Sequence, residues 1–160
     1  MLARLIALSG ALLLLAACSN TPEPAPGGPP GGMGGPSAPA YGPGSQQDLA
    51  ATAGDRIFFS FDSSEISPEA QQILQRQAQW LKRYPNVSVT VEGHCDERGT
   101  REYNLALGER RAAAAKNVLV ALGVPSSRLS TISYGKERPA VPGSDESAYA
   151  QNRRAVTTVN

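Results

Sequence analysis

Two oppositely charged residues, Asp96 and Arg111, have the chemistry and the spacing most suggestive of a binding site in this chain. Asp96 lies in a polar loop after a short predicted strand, residues 87–91, and Arg111 lies on the helix that follows the loop. Leu107 and Arg111 belong to a stripe at helical spacing, so the Arg111 side chain is expected to face the core. A guanidinium there needs an acceptor, because a buried unpaired charge is strongly unfavourable.

Three arrangements would satisfy these two charges. Asp96 and Arg111 could pair with each other, or Arg111 could extend past the apolar stripe until its guanidinium reaches water. Alternatively, both could bind a zwitterionic ligand, with the ligand carboxylate on Arg111 and its ammonium on Asp96. Each charge-assisted hydrogen bond of that kind contributes roughly 1.5–3 kcal/mol. The chemistry of the residues alone favours a structural role.

The motifs around these residues resemble those of OmpA-like peptidoglycan-binding domains. One motif is Gly-His-Cys-Asp-Glu-Arg-Gly-Thr at residues 93–100, and the other is Asn104-x-x-Leu107-Gly108-x-x-Arg111. The Asp-Glu-Arg-Gly-Thr run, with Tyr-Gly-Lys-Glu-Arg-Pro at 134–139 and Asn-Arg-Arg-Ala-Val at 152–156, is similar to one branch of that family, the peptidoglycan-associated lipoproteins. The resemblance covers residues 56–159.

The resemblance implies a role for each matching residue. Asp96 and Arg111 would hold the diaminopimelate of the cell-wall stem peptide, which carries an amine and a carboxylate at its free end. Four further residues match positions that line the family's pocket: Phe61, Asp62, Asn104 and Leu107.

The resemblance also implies partners and a cellular role. The protein would link the outer membrane to peptidoglycan within the Tol–Pal system, supporting envelope integrity and outer-membrane constriction in cell division. TolB would compete with the wall for this domain, and Glu97 and Arg98 at the pocket rim are candidates for that contact. For each of them a solvated loop residue is an equally good interpretation. Two alternatives stay open. The protein could be a wall anchor outside Tol–Pal, or it could act mainly as a protein–protein adaptor for TolB.

Residues 1–17 have the pattern of a lipoprotein signal peptide. Arg4 is followed by an almost unbroken apolar run at 5–15 and then by small residues. This run is too short to span a bilayer, which takes about 20 residues. The sequence Leu-Ala-Ala-Cys ending at Cys18 resembles a lipobox, which implies acylation of Cys18 with fatty acids such as palmitate. Ser19 follows Cys18, where an Asp would suggest retention at the inner membrane. We therefore expect the protein in the outer membrane of a Gram-negative bacterium, with the domain facing the periplasm.

Residues 18–54 are predicted to comprise the lipidated cysteine and a tether. Sixteen of the 24 residues from Thr21 to Gly44 are Pro or Gly, a composition that cannot build a core. Removal of Arg4 with the signal leaves 14 basic residues against 14 acidic ones. A net charge near zero argues against binding to nucleic acid.

Residues 55–160 are predicted to form an α/β (α+β) two-layer domain, with helices packed on a mixed four-stranded sheet in the order βαβαβ(α)β. Predicted strands cover residues 56–61, 87–91, 129–134 and 155–159. The longer helices are expected from Ser67, an N-cap before Pro68, to about residue 84, and from 101 to 122. A short helix is expected near 146–153, and Trp80 is expected to be a packing residue.

An enzyme or a metalloprotein finds little support in the sequence. His94 and Cys95 are neighbours on an extended segment, so their side chains point to opposite faces and cannot easily form a catalytic dyad. One histidine, one free cysteine and scattered carboxylates give no metal-ligand spacing. We therefore predict a protein that is not an enzyme and needs no cofactor.

Overall fold

Helices and strands alternate along residues 41–160, the part of the chain that the computed structural model describes. In chain order they are α1 (Gln46–Thr52), β1 (Arg56–Phe58), α2 (Pro68–Arg83), β2 (Val89–His94), α3 (Arg101–Ala121), β3 (Leu129–Gly135), α4 (Glu146–Asn152) and β4 (Arg154–Val159). A 3-10 turn, Ser126–Arg128, precedes β3. No helix in this range combines the length and the apolar character needed to cross a membrane. The predicted signal peptide, Cys18 and most of the predicted tether lie outside the described residues.

The four strands form one mixed sheet in the order β1-β4-β2-β3. Strand β4 is antiparallel to both of its neighbours, β1 and β2, whereas β2 and β3 run parallel. The predicted mixed four-stranded sheet is confirmed, and the pairing supplies the strand order that the sequence left open. The last strand of the chain therefore lies inside the sheet.

The core lies between this sheet and helices α2 and α3. Leu74 and Leu81 of α2, Val89 and Val91 of β2, and Leu119 of α3 are almost completely buried. Val89 and Val91 alternate with partly exposed residues, which is the pattern predicted for a half-buried strand. The helices thus cover one face of the sheet, as a two-layer domain requires.

Side-chain caps define where the two long helices begin. Ser67 Oγ accepts a hydrogen bond from the Ala70 amide, and Pro68 is the first helical residue, as predicted. Thr100 Oγ1 accepts from the Tyr103 amide in the same way at α3. Because α3 begins directly after the polar loop, this cap also fixes the end of the loop.

Two glycines set how closely α3 approaches the sheet. A Cβ atom on Gly93 would lie 1.8 Å from the carbonyl oxygen of Gly108 on α3, so no larger residue fits there without movement of the backbone. This contact holds the first half of α3 against the end of β2. Arg111 is thereby brought next to the loop that carries Asp96.

The predicted tether, residues 18–54, is too long, because helix α1 belongs to the folded domain. Leu49 is fully buried, and the Asp48 carboxylate accepts a hydrogen bond from the Trp80 indole at 3.0 Å. The Gln46 amide oxygen accepts a hydrogen bond from the backbone amide of Val159 on β4. The folded unit therefore includes α1, and Trp80 is a packing residue as predicted.

The predicted ends of two strands were also wrong. Strand β1 ends at Phe58 rather than at residue 61, because the chain turns after Phe59 and Asp62 adopts a left-handed conformation with φ of 52°. Strand β2 continues to His94, three residues beyond the predicted end. The sequence pattern suggested that Gly93 and His94 belong to a polar loop, but both pair with β3, and the register shifts between them.

Candidate functional site

A pocket of about 160 Å³ opens where the end of β2, the start of α3 and the turn after β1 meet. All six predicted wall-binding residues line it. Its full lining is Phe61, Asp62, Cys95, Asp96, Arg98, Gly99, Tyr103, Asn104, Leu107, Arg111 and Arg153.

Arg111 is fully buried and forms the positive wall of the pocket. Its guanidinium donates to three backbone carbonyls: Nε to Ser63 at 2.8 Å, Nη1 to His94 at 2.9 Å and Nη2 to Ser60 at 3.1 Å. Within residues 41–160, no carboxylate forms a salt bridge with it. Burial lowers the pKa of Arg111, because removing the charged guanidinium from water is unfavourable. Its pairing with carbonyl dipoles leaves the charge available to an anion that enters the pocket.

Asp96 forms the negative wall and is 4% exposed. Its Oδ1 accepts hydrogen bonds from the Arg98 backbone amide at 3.1 Å and from Arg98 Nε at 3.2 Å. Its Oδ2 accepts from Arg98 Nη2 at 2.6 Å and from Arg153 Nη1 at 3.3 Å. Burial opposes ionisation, but these bonds outweigh it and hold the pKa of Asp96 below its usual range. The carboxylate is therefore ionised at neutral pH.

The observed contacts rule out two of the three arrangements considered for Asp96 and Arg111. The two residues do not pair with each other, because Asp96 bonds to Arg98 and Arg153 whereas Arg111 bonds to carbonyls. Arg111 does not extend to water either, since it is fully buried. The structural role is real, but it leaves both charges facing one cavity.

The turn after β1 supplies the opposite wall, at the pocket mouth. Phe61 is 60% exposed, and Tyr103 of α3 is 46% exposed. The Tyr103 hydroxyl donates a hydrogen bond to the Asp62 carboxylate, which ties this turn to the start of α3. Leu107, nearly buried, adds an apolar surface from the next turn of the helix.

Asn104 and Cys95 hold the loop between β2 and α3 in place through buried hydrogen bonds. The Asn104 side-chain amide donates to the carbonyls of Arg98 at 2.7 Å and Thr100 at 3.1 Å. The Cys95 thiol donates to the Asn104 carbonyl at 3.3 Å, and burial raises its pKa. A neutral, buried thiol packs well but is a poor nucleophile. Its neighbour His94 does not line the pocket and instead lies beside Tyr134, with ring centroids 5.5 Å apart.

The two predicted rim residues, Glu97 and Arg98, have different environments. The exposed Glu97 carboxylate accepts a hydrogen bond from the Tyr149 hydroxyl at 2.8 Å and is not part of the pocket lining. The Arg98 side chain is 35% exposed and lies in the pocket, bound to Asp96. Their role in contacts with a partner stays a prediction.

Arg153 is a site residue that sequence reasoning missed. Its buried guanidinium donates to the Phe59 carbonyl at 3.1 Å, to Asp96 at 3.3 Å and to Glu146 at 2.7 Å. It joins three segments that are distant in the chain and supports Asp96 from behind. The motif at residues 152–156 marked this region, but which of its arginines reaches the pocket depends on the pairing of β4.

The pocket is therefore lined by groups of both charge signs. Within the described part of the chain, no group of three or more metal-ligating side chains is present. The chemistry on offer is the binding of a ligand that has an anionic and a cationic group close together.

Comparison with known proteins places this site in a family. The model of the OmpA family matches residues 58–153, which include the whole pocket. The crystal structure of the peptidoglycan-associated lipoprotein from Burkholderia pseudomallei is similar, with a TM-score of 0.65 and 43% identity over 66% of this chain and 90% of that one. The C-terminal domain of Helicobacter pylori MotB matches with a TM-score of 0.62 and 25% identity, covering 66% of this chain and 84% of that one.

Curated relatives narrow the class further. The peptidoglycan-associated lipoprotein of Agrobacterium fabrum is 58% identical over 147 residues, which cover 92% of this chain and 82% of that protein. The one from Brucella melitensis is 59% identical over 123 residues, or 77% of this chain and 73% of that protein. The chain therefore belongs to the OmpA family and, within it, to the peptidoglycan-associated lipoproteins. As predicted from the sequence, this is a family of structural, non-enzymatic proteins.

Proposed function

We propose that this protein is an outer-membrane lipoprotein that binds peptidoglycan through Asp96 and Arg111. The observation that carries the proposal is a buried guanidinium with no carboxylate partner among the described residues, next to an ionised carboxylate in the same cavity. The names of its relatives add support, since they describe association with peptidoglycan. Acylated Cys18 would hold the other end of the chain in the membrane.

The ligand would be the free end of diaminopimelate in the wall's stem peptide. A guanidinium has five N–H groups, and Arg111 donates three to carbonyls, which leaves two for the ligand carboxylate. The ligand ammonium would bind Asp96. Leu107 and Phe61 would contact the aliphatic carbons between the two charged groups.

The position of the pocket on the domain suits a link between two layers. Gly44 lies against Tyr84 and Val87, near the beginning of β2, whereas the pocket lies at the other end of that strand, beyond His94. The six residues of β2 span about 20 Å. A tether that precedes Gly44 would be attached at the end of the domain opposite to the pocket. Tension between membrane and wall would then run along the sheet.

The same domain would act within the Tol–Pal system and bind TolB at the pocket mouth. Aromatic and arginine side chains are enriched in protein interfaces, so exposed aromatic residues are candidates for partner contacts. Phe61 and Tyr103 are such residues, and the charged Arg98, which follows Glu97 in the chain, stacks on Phe61. TolB on this surface would cover the pocket and compete with the wall, which would couple wall attachment to constriction of the outer membrane in division.

Cosedimentation with purified sacculi tests the proposal. We would use a soluble chain beginning at Ser19 and compare wild type, Asp96→Asn and Arg111→Ala with Arg110→Ala, which removes an exposed charge one residue from Arg111. We expect wild type and Arg110→Ala to pellet, and the other two to remain in solution although circular dichroism shows them folded. Equal pelleting of all four would refute the site. Addition of TolB should release the wild-type protein. Simultaneous binding of TolB and the wall would count against the adaptor role, and a protein that binds the wall but not TolB would favour a wall anchor outside Tol–Pal.

A further inference from the structure

Arg98 occupies the place on Asp96 that a ligand ammonium would need. Its side chain donates to both carboxylate oxygens, with Nε 3.2 Å from Oδ1 and Nη2 2.6 Å from Oδ2. Arg153 Nη1 also bonds to Oδ2. With these contacts in place, the side of Asp96 that faces the cavity already carries a cation.

A sandwich of two aromatic rings keeps the Arg98 guanidinium in this position. Its central carbon lies 4.1 Å from the ring centroid of Phe61 and 4.3 Å from that of Tyr149. Stacking of a guanidinium on an aromatic face is favourable. Glu146 adds a carboxylate oxygen 3.6 Å from Nη1. Arg98 is thus held from the turn after β1 and from α4, two elements outside its own loop.

Arg98 and Arg153 differ in how easily their side chains can break the bonds to Asp96. The Arg153 side chain is 8% exposed, and it also bonds to the buried Phe59 carbonyl, so its removal would break the frame of the site. The Arg98 side chain is 35% exposed and faces the pocket mouth. The Arg98 backbone amide bonds separately to Asp96, so the side chain can swing out while the loop stays in place.

We infer that Arg98 is a gate: in the empty protein its side chain closes Asp96, and it must swing away before a ligand ammonium can bind. This inference rests on the proposed function. The gate stands in for the ligand cation, so the buried carboxylate is never left without a partner. A ligand carboxylate that reaches Arg111 without an accompanying ammonium would not open it.

The gate predicts that removal of Arg98 strengthens ligand binding. When only a fraction of molecules is competent to bind, the apparent dissociation constant rises by the inverse of that fraction. If Arg98 is off Asp96 in about a tenth of molecules, its removal tightens binding by about tenfold. A ligand-contacting Arg98 would give the opposite sign, because its removal would then weaken binding.

Titration calorimetry with the stem tripeptide L-alanyl-γ-D-glutamyl-meso-diaminopimelate tests the gate. The soluble chain from Ser19 is compared with Arg98→Ala, with Tyr149→Leu, which loosens the gate without changing its charge, and with Arg110→Ala as the charge control. We expect Arg98→Ala to bind about three- to tenfold tighter, Tyr149→Leu to bind moderately tighter, and Arg110→Ala to match wild type.

The outcomes separate the gate from the function on which it rests. Wild-type binding that Arg98→Ala leaves unchanged or weakens would overturn the gate alone. A gain in Arg98→Ala matched by Arg110→Ala, with none in Tyr149→Leu, would also overturn it, because the gain would then not be specific to the side chain that covers Asp96. If neither wild type nor Arg98→Ala binds the tripeptide, the proposed function itself is wrong.

Discussion

Arg111→Lys keeps the buried charge and changes only how it is bonded. The guanidinium reaches three carbonyls through three different nitrogens, at Ser60, Ser63 and His94. A lysine ammonium is a single charged point and lacks the planar fork of a guanidinium. We therefore expect it to satisfy one of these carbonyls and to leave two without a partner. A buried acceptor without a partner costs about 1–3 kcal/mol, and the carbonyls of Ser60 and Ser63, which lie nearer the surface, cost less.

The expected loss is about 2–4 kcal/mol in the free energy of unfolding. With a urea slope of about 2 kcal/mol/M for a small domain, the midpoint should fall by about 1–2 M. The fluorescence of Trp80, the only tryptophan and a buried one, reports unfolding directly. Arg110→Lys on the exposed side of α3 serves as the control and should leave the midpoint unchanged.

The same variant separates charge from geometry in binding. Because lysine cannot offer two aligned N–H groups to a carboxylate, Arg111→Lys should also fail to pellet with sacculi under conditions in which it is folded. A midpoint within 0.3 M of wild type (about the resolution of such curves), together with full wall binding, would refute this account of Arg111.

Three further predictions concern the frame around the site. Gly93→Ala places a methyl group against the backbone of α3 and should destabilise the protein by about 3 kcal/mol or more in urea, whereas Gly42→Ala, with open space around it, should have no effect. A chain that begins at Asp55 lacks α1 and should lose at least the 1.5–3 kcal/mol that burial of Leu49 contributes (an approximate range), measured as a lower urea midpoint. Burial, followed by the charge of Arg154, lowers the pKa of His94 to about 4 although Glu92 lies 3.5 Å away. The unfolded chain therefore binds the proton more tightly, and this histidine should lower stability by roughly 2–3 kcal/mol as pH drops from 6.5 to 4, a contribution that His94→Gln should remove.

The site could be predicted from the sequence largely because its residues are close together in the chain. Asp96 and Arg111 lie on one loop and the helix that follows, so helical spacing brought these two together. The roles of Phe61, Asp62, Asn104 and Leu107 were implied only by the resemblance to the family. The predicted cap at Ser67 is equally local, since its side chain accepts a hydrogen bond from an amide three residues ahead.

The contacts that escaped prediction join distant parts of the chain. Arg153 reaches Asp96 across 57 positions, and only the placement of β4 between β1 and β2 brings them together. Helix α1 has a single large apolar residue, Leu49, so its seven residues carry no amphipathic pattern. It is stabilised by burial of Leu49 and by the contact of Asp48 with Trp80, neither of which a local signal reveals.

The most direct test of the central claim compares two stem tripeptides that differ only in the third residue, meso-diaminopimelate or lysine. Lysine keeps the ammonium and lacks the terminal carboxylate, so it loses the charge-assisted bonds to Arg111, each of which contributes roughly 1.5–3 kcal/mol. Titration calorimetry on the wild-type chain should therefore show binding of the diaminopimelate peptide at least about tenfold tighter than of the lysine peptide. Equal affinities would contradict a site in which Arg111 holds the ligand carboxylate.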